Sequence, residues 1–571
     1  MITSKKLRQK FVDYFASKGY KKIPETSLVP KDDPSVLFTT AGMQQFKKFY
    51  LAPDEAPAKK VITIQPCVRT SDIDEVGDDT HLTFFEMLGN FTFGDLDKKQ
   101  AISQALKFLT QELGITKQRI KASYFAGEKS IAEDTEAKNI LIELGFLEKN
   151  LIRGGKKDNF WGPVAGKGAC GPTIEIYIDD IEIWNLVFNE YYFDGQIYQK
   201  AQYPGLDTGM GLERMLAVLE GKRNIFEIDV LAPIVETIEK NSRTAEPKNL
   251  RVAADHLRAS AFLIKDGVLP SNKEQGYILR RFIRRAAVHL KKMNFDFSQL
   301  TKVIKKILNI YYEMEGEEGF NFQNEKLIQE TIQKEMAVFN QTLKRGLQKL
   351  EKLLDKSSSK ISGKDAFFLF ETFGFPLELT EELARENQKT IDKIGFDKYL
   401  KEHQEKSRLS AKKKFTGGLA SCGAIETRYH TANHLLLAAL RQVLDKHVAQ
   451  KGSNITNERL RFDFSHPEKM TADEIKKTEA LVNEKIQAGL GVETEKMSLA
   501  DAQASGATGV FSDRYGDRVK VYTIGEPDEK PFSKEICGGP HVKNTREIGK
   551  FKIVKEESSS AGVRRIRAKI T

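Results

Sequence analysis

The sequence predicts an α+β protein of several domains: an antiparallel sheet flanked by helices over residues 1 to 240, a helical domain over 241 to 403, a linker over 404 to 423, and a second α+β domain over 424 to 571 that holds a zinc-type ligand set. Three observations predict this. Short apolar runs with period-two alternation and tight turns recur through the first 240 residues; Lys/Glu/Leu-rich helical patterns replace them afterwards; and four candidate metal ligands gather in the last domain. A chain of 571 residues also exceeds one hydrophobic core, and the length prior gives about three or four domains.

The strand-like runs of the first domain are Val36 to Thr39, Val61 to Ile64, Leu82 to Glu86, Thr173 to Ile178 and Ile181 to Phe188. The helical domain is read from runs such as Lys344 to Leu354, and the linker from the polar stretch that includes Ser410 to Gly418. In the last domain, Tyr429 to Leu440 is Ala/Leu-rich and reads as a helix, whereas Ile536-Cys537-Gly538-Gly539-Pro540-His541-Val542 reads as a tight loop.

Hydrophobic residues make up 40% of the chain and charged residues 30%, the composition of a soluble globular protein. No run approaches the ~18 apolar residues of a membrane helix, and Met1-Ile2-Thr3-Ser4-Lys5-Lys6 does not open a signal-peptide core. The expectation is a cytoplasmic protein without a membrane partner. Four scattered cysteines, Cys67, Cys170, Cys422 and Cys537, make no disulfide scaffold.

Nearly all of the +10 net charge lies in residues 251 to 306, which hold thirteen Lys/Arg against four Asp/Glu. The densest part places Arg280, Arg281, Arg284 and Arg285 at i, i+1, i+4 and i+5, one stripe of a helix. A basic stripe beside apolar residues suits a phosphate backbone. A solvated face of a helix bundle is the alternative.

The ligand set is His430-x-x-x-His434 with Cys537-x-x-x-His541, three of nine histidines and one of four cysteines. Residues four apart share a helix face, so a helix and a loop offer two ligands each. Imidazole nitrogen and thiolate suit tetrahedral zinc. A peptide-cleaving zinc helix would read H-E-x-x-H; here Thr431 follows the first histidine, and that general base is missing.

Two further motifs concern phosphate. Asp207-Thr208-Gly209-Met210-Gly211-Leu212-Glu213-Arg214 brings glycines to the start of a helix with an arginine in its first turn. Earlier, Gln65-Pro66-Cys67-Val68-Arg69, a short acidic loop and Thr83 to Phe91 form a strand-turn-strand unit carrying an arginine. Gly162 to Gly171 is glycine-rich but lacks the G-x-x-x-x-G-K-[ST] spacing. Lys496-Met497-Ser498 has no H-I-G-H partner.

The hairpin arginine and the later G-x-G-x-x-R resemble motifs 2 and 3 of class II aminoacyl-tRNA synthetases. The resemblance narrows to the alanyl-tRNA synthetase family: Thr26-Ser27-Leu28-Val29-Pro30 with Leu37 to Phe46, Phe84 to Phe93 matching T-F-F-E-M-L-G-N-F-x-F, Asp158 to Trp161, Glu182 to Phe188, Asp207 to Arg214, Pro270-Ser271-Asn272 and Gly276 to Arg281 follow in order. The resemblance implies a class II antiparallel catalytic domain, a helical tRNA-recognition domain and a zinc-containing editing domain. It implies that Arg69 and Arg214 bind ATP phosphates, with magnesium accompanying ATP, and that Trp161, Asn185 and Asp207 shape the alanine pocket, Asp207 neutralising the substrate ammonium.

It further implies that the helical domain reads a G·U pair in the acceptor stem of tRNA(Ala) through Asn272. Leu369-Phe370-Glu371-Thr372-Phe373-Gly374-Phe375-Pro376 carries Glu371 where the family has aspartate. Arg280, Arg281, Arg284 and Arg285 are expected to add phosphate contacts. His430, His434, Cys537 and His541 fall on the family's editing centre, with one zinc per chain and Gln450 nearby. That centre follows from selectivity, because an alanine pocket excludes glycine and serine weakly and such synthetases edit.

Three departures stand out: Pro540 replaces a usual threonine, only 53 residues separate Pro376 from His430, and the sequence stops at Thr571. Without the C-terminal dimerisation region of longer relatives, a monomer is expected. The expected function is alanine-tRNA ligation with hydrolysis of mischarged Ser-tRNA(Ala) and Gly-tRNA(Ala); the alternative is a trans-acting deacylase with an inactive synthetase domain.

Overall fold

The computed structural model describes all residues except 1, 31–32, 34–35, 129, 164–165, 316–324, 357–358, 413–422, 510–517, 527–528 and 561. Two compact units result, Met1–Phe396 and Asp397–Thr571.

In the first unit the short strand β1 (Lys21–Lys22) opens a nine-stranded sheet. Its other members are β2 (Lys60–Val68), β3 (Phe84–Thr92), β4 (Ile120–Phe125), β5 (Leu151–Gly154), β6 (Phe160–Trp161), β7 (Gly168–Ile178), β8 (Ile181–Phe193) and β9 (Tyr198–Gly211). The order is β1-β2-β3-β9-β8-β7-β4-β5, with β6 pairing β7 off this path. Pairing is antiparallel except for β1 with β2 and β4 with β5. The helix Ser4–Ala16 covers the sheet with Leu7, Phe11 and Phe15, four residues apart and buried. Phe11 and Phe15 pack on Phe108 and on Trp184 of β8.

The run Val36–Thr39, expected as a strand, is a loop held by single backbone bonds, Thr39 N to Leu28 O at 2.8 Å and Val68 N to Thr39 O at 2.9 Å. The run beginning at Leu82 becomes a strand only from Phe84, because Thr83 gives its N–H and hydroxyl to the buried carboxylate of Asp255. The other expected strands lie within β2, β7 and β8.

The same unit continues into the helices Pro247–Lys265, Glu274–Lys292, Leu300–Glu315, Glu325–Lys356, Gly363–Phe373 and Leu377–Glu386, with the parallel pair β10 (Lys360–Ile361) and β11 (Thr390–Ile391). Pro247 opens its helix, where a missing N–H costs nothing. The interior of that helix carries buried Asp255, His256 and Arg258. The helix Lys393–Lys412 runs into the first part of the expected linker; residues 413–422 of that linker lie outside the described residues.

The second unit holds two four-stranded sheets. One is β12 (Gln450–Ile455), β13 (Leu460–Ser465), β19 (Val563–Ile570) and β18 (Phe551–Ser560) in that order. The other is β14 (Gly491–Ser498), β16 (Arg518–Gly525), β17 (Ser533–Ile536) and β15 (Thr508–Gly509). The helix Ala424–Leu444 supplies Leu435, Leu436 and Leu440 to a core shared with Phe462, Phe464 and Ile566. The helix Ala472–Ala488 starts at a Thr471/Glu474 capping box and stops at Gly489, φ 74°. Among the described residues, no helix is long and apolar enough to cross a membrane.

Candidate catalytic pocket and metal centre

A cavity of about 200 Å³ opens on the face of the first unit's sheet, and Arg69, Trp161, Asn185, Asp207 and Arg214 all line it. The sheet register explains the convergence. Asp207 of β9 lies opposite Val187 of β8 and Phe91 of β3, and Asn185 lies opposite Gly209. Gly209 keeps the floor low, since a Cβ there would meet Met87 Sδ at 2.7 Å. Trp161 on β6 pairs Gly171 of β7. Arg69 immediately follows β2, its guanidinium 4.9 Å from the Phe85 ring, with Nε donating to Thr40 O at 3.3 Å. Arg214 lies in the first turn of the helix Leu212–Leu219, 3.5 Å from Glu182 Oε2.

The electrostatics divide the cavity. Asp207 is 6% exposed, and burial pushes its carboxyl up to about 7. The Asn185 side-chain oxygen is buried without a hydrogen-bond donor among the described residues. Two acceptors thus await a donor or cation, and a buried acceptor left unmatched costs about 1 to 3 kcal/mol. The arginines supply positive charge to the same cavity, which suits an anionic group. A small molecule with an ammonium at one end and phosphates nearby fits this distribution.

Below the pocket lies a charged network that sequence motifs alone did not reveal. Arg8 grips Glu86 at 2.6 and 2.8 Å; the Glu86 N–H donates to Glu213 at 3.1 Å; and Arg258 donates to Glu213 and the Tyr311 hydroxyl at 3.1 and 3.0 Å. Arg258 also donates to Phe84 O. Burial raises the Glu213 carboxyl to about 7 against the opposing pull of Arg258. The network ties both phosphate-motif segments, β3 and the helix after β9, to the Pro247–Lys265 helix. Glu213 within the motif was the available signal, but its partners stand far away in sequence.

The arginine stripe is corrected by the structure. Arg281 pairs Asp74 at 2.7 Å, Arg284 pairs Glu335 at 2.6 Å, and Arg285 pairs Glu382 at 2.6 Å while donating to Ile73 O at 2.7 Å. All three are buried, so they are not a phosphate-facing surface. The local charge count omitted carboxylates that arrive from distant segments. Arg280 differs: it contacts Glu335 at 3.2 Å and donates to the Asn272 side-chain oxygen. Asn272 and Glu371 are both exposed.

In the second unit, His430, His434, Cys537 and His541 converge with ligand atoms all within 4.8 Å of one another, a cluster able to hold a metal ion. The helix Ala424–Leu444 presents both first histidines, and the loop after β17 presents the other two residues. Gly539 permits the approach, for a Cβ there would meet His430 Cε1 at 2.2 Å. Each imidazole is steadied on its outer nitrogen. His430 Nδ1 lies 3.0 Å from Pro540 O, His434 Nδ1 lies 2.6 Å from Glu535 Oε2, and His541 Nδ1 lies 3.2 Å from Thr431 Oγ1.

That leaves the three Nε2 atoms and the Cys537 Sγ for the centre; His430 Nε2 lies 3.4 Å from Cys537 Sγ, and His434 Nε2 and His541 Nε2 are buried with no hydrogen-bond partner among the described residues. Outer-nitrogen support is how metal-binding histidines are oriented. Burial would raise the Cys537 thiol, but the surrounding imidazoles prevail and hold it at about 2, a thiolate. Burial opposes charging of His434, yet Glu535 and Cys537 raise it to about 10, while burial lowers His541 to about 3. Once a metal displaces the His434 proton, the set is one soft anionic and three nitrogen donors, the chemistry that zinc accepts. Gln450 accepts through its side-chain oxygen from Asn433, the residue before His434, at 3.2 Å.

Comparison with known proteins gives the family. The family model for class II (A) tRNA synthetases matches residues 6–450, and that for the threonyl and alanyl tRNA synthetase second additional domain matches residues 519–567. An alanine-tRNA ligase of Borrelia hermsii is 44% identical, covering 98% of each chain. One of Treponema pallidum is 42% identical over 99% of this chain and 98% of its own. One of Dehalococcoides mccartyi is 34% identical over 100% of this chain and 80% of its own.

Proposed function

This chain belongs to the alanine-tRNA ligase family of class II tRNA synthetases, and on that premise we propose that it joins alanine to tRNA(Ala) and removes serine or glycine joined in error. The observation that carries the reading is the cavity that collects Arg69, Asn185, Asp207 and Arg214. Asp207 and Asn185 receive the alanine ammonium, and Trp161 bounds the pocket for a short side chain. Arg69 and Arg214 hold the ATP phosphates, with magnesium, so that the alanine carboxylate attacks the α-phosphorus. Pyrophosphate leaves; the terminal ribose hydroxyl then attacks the alanyl carbonyl and releases AMP.

Fixed cations near developing phosphate charge contribute through preorganisation, each worth about a hundred- to a thousandfold in rate. The Arg8–Glu86–Glu213–Arg258 network keeps the two arginine-bearing segments in register. Asn272 and Glu371 read the acceptor stem. Because Arg280 occupies the Asn272 oxygen, the amide N–H group is what Asn272 has to offer.

In the second unit, zinc held by His430, His434, Cys537 and His541 would polarise a water or the ester carbonyl. The residues present fit that ion, and Gln450 positions the ester beside it. An aminoacyl ester is easier to hydrolyse than a peptide, consistent with Thr431 where a protease has its glutamate. The cytoplasm, where tRNA is charged, is the proposed place of action. Alanine-dependent pyrophosphate exchange tests the ligase reading. Exchange with alanine far above glycine and serine is expected; no exchange by folded protein would leave only a deacylase.

A further inference from the structure

The sheet of β12, β13, β19 and β18 has one face in the core and one open face. Strand alternation sends Leu460, Phe462, Phe464, Ile566 and Ala568 inward. Register sets Arg461 opposite Arg567, Asp463 opposite Arg565, Lys569 opposite Lys552, and both Lys555 opposite Arg567 and Glu557 opposite Arg565 on the outward side. The open face therefore carries six cations, Arg461, Lys552, Lys555, Arg565, Arg567 and Lys569, against two carboxylates, Asp463 and Glu557.

Those carboxylates are already engaged. Arg565 grips Asp463 at 2.6 and 3.1 Å, and Lys555 and Arg567 share Glu557 at 2.6 and 2.8 Å. Arg461 reaches Asp463 only at 3.4 Å. Like charges directly across a sheet are unfavourable, yet Arg461 and Arg567 occupy such a pair. The Nε of each is buried without a hydrogen-bond partner among the described residues. Burial and the neighbouring Arg565, Arg459 and Arg567 hold the Arg461 guanidinium below its usual range despite Asp463.

We propose that this open sheet face, centred on Arg461 and Arg567, binds the phosphate backbone of the tRNA whose misacylated end is hydrolysed at the metal centre. The inference rests on the editing reading of that centre, which lies in the same compact unit and whose helix Ala424–Leu444 packs on the core side of the same sheet. Arg565, Arg567 and Lys569 project from alternate positions of β19, about 7 Å apart at the usual strand rise, a ladder that follows successive phosphates along an extended strand. RNA, rather than a free anion, is the occupant because the cations run along the sheet instead of closing on one point.

The test uses the full chain with Arg461→Gln and Arg567→Gln together. Hydrolysis of Ser-tRNA(Ala) should show KM raised about tenfold with kcat, bound metal and alanine-dependent pyrophosphate exchange unchanged. In filter binding of tRNA(Ala), the slope of log affinity against log salt should fall by about 1.4 to 1.8, the release expected for two phosphate contacts. Arg567→Lys, which keeps the charge, should retain most of the affinity. Unchanged KM and unchanged salt slope would overturn the proposal. So would displacement of tRNA by inorganic phosphate at equal phosphate concentration, which would make the face a simple anion site. If the native chain hydrolyses no Ser-tRNA(Ala), the editing reading fails, and the binding slope still decides whether the face holds RNA.

Discussion

The pocket of the first unit and the metal centre of the second differ in which side of their charges is satisfied. Around the metal centre, Pro540, Glu535 and Thr431 support the outer nitrogens, and only the inward atoms are left for an ion. In the pocket, Asp207 and Asn185 face the cavity without a compensating cation or donor among the described residues, while the supporting charges are buried in the Arg8–Glu86–Glu213–Arg258 network. One centre is finished except for a resident ion. The other is unfinished until a substrate supplies charge. On the proposed function, this difference separates a site built to retain a cofactor from one built to exchange substrates.

Substitutions should separate the two along that line. The largest effect is expected for Arg214→Ala, with alanine-dependent exchange falling about a hundred- to a thousandfold and Ser-tRNA(Ala) hydrolysis unchanged. Glu535→Gln should weaken metal retention about ten- to a hundredfold, read by competition with a chelator, with exchange intact. If metal affinity were unaffected, the outer support of His434 would have no role.

The third prediction concerns pH. With the Asp207 carboxyl raised to about 7, its ionised form is scarce below that pH and dominant above it, whereas the alanine ammonium stays charged. The KM for alanine in pyrophosphate exchange should therefore fall about tenfold from pH 6 to pH 8, as the carboxylate fraction rises from about one eleventh to about ten elevenths. A flat profile would remove the carboxylate from ammonium binding. The smallest effect is expected for Arg284→Gln. Its ion pair with Glu335 takes it out of phosphate contact, so the salt slope of tRNA binding should not move, although stability should drop by about 1 to 3 kcal/mol, since Glu335 keeps Arg280 at 3.2 Å.

Sequence motifs located both centres because their chemistry depends on residue types that are rare or closely spaced. His430-x-x-x-His434 needs only helix periodicity to share a face, and Cys537-x-x-x-His541 needs only a tight loop. Asp207 and Arg214 lie within eight residues, so β9 and one helix turn suffice to place them. Arg69 required the β2–β3 hairpin, which alternation and the acidic turn made visible. The arginine stripe misled for the converse reason. Arg281, Arg284 and Arg285 share a helix face as expected, but Asp74, Glu335 and Glu382 come from remote segments that no local window contains. The same remoteness hid the Arg258–Glu213 pair and the loop at Val36–Thr39, where tertiary contacts decide the conformation. That Lys344–Leu354 and Tyr429–Leu440 are helical was readable; their ends, at Glu325–Lys356 and Ala424–Leu444, and their partners across the fold were not.

The central claim is that two separable centres lie in one chain. Its most direct measurement is a paired assay of Asp207→Asn and Cys537→Ala, each scored for alanine-dependent pyrophosphate exchange and for Ser-tRNA(Ala) hydrolysis, with circular dichroism confirming the native fold. Asp207→Asn should lose exchange and keep hydrolysis; Cys537→Ala should lose hydrolysis and bound metal and keep exchange. Either variant abolishing both activities while fully folded would contradict the account.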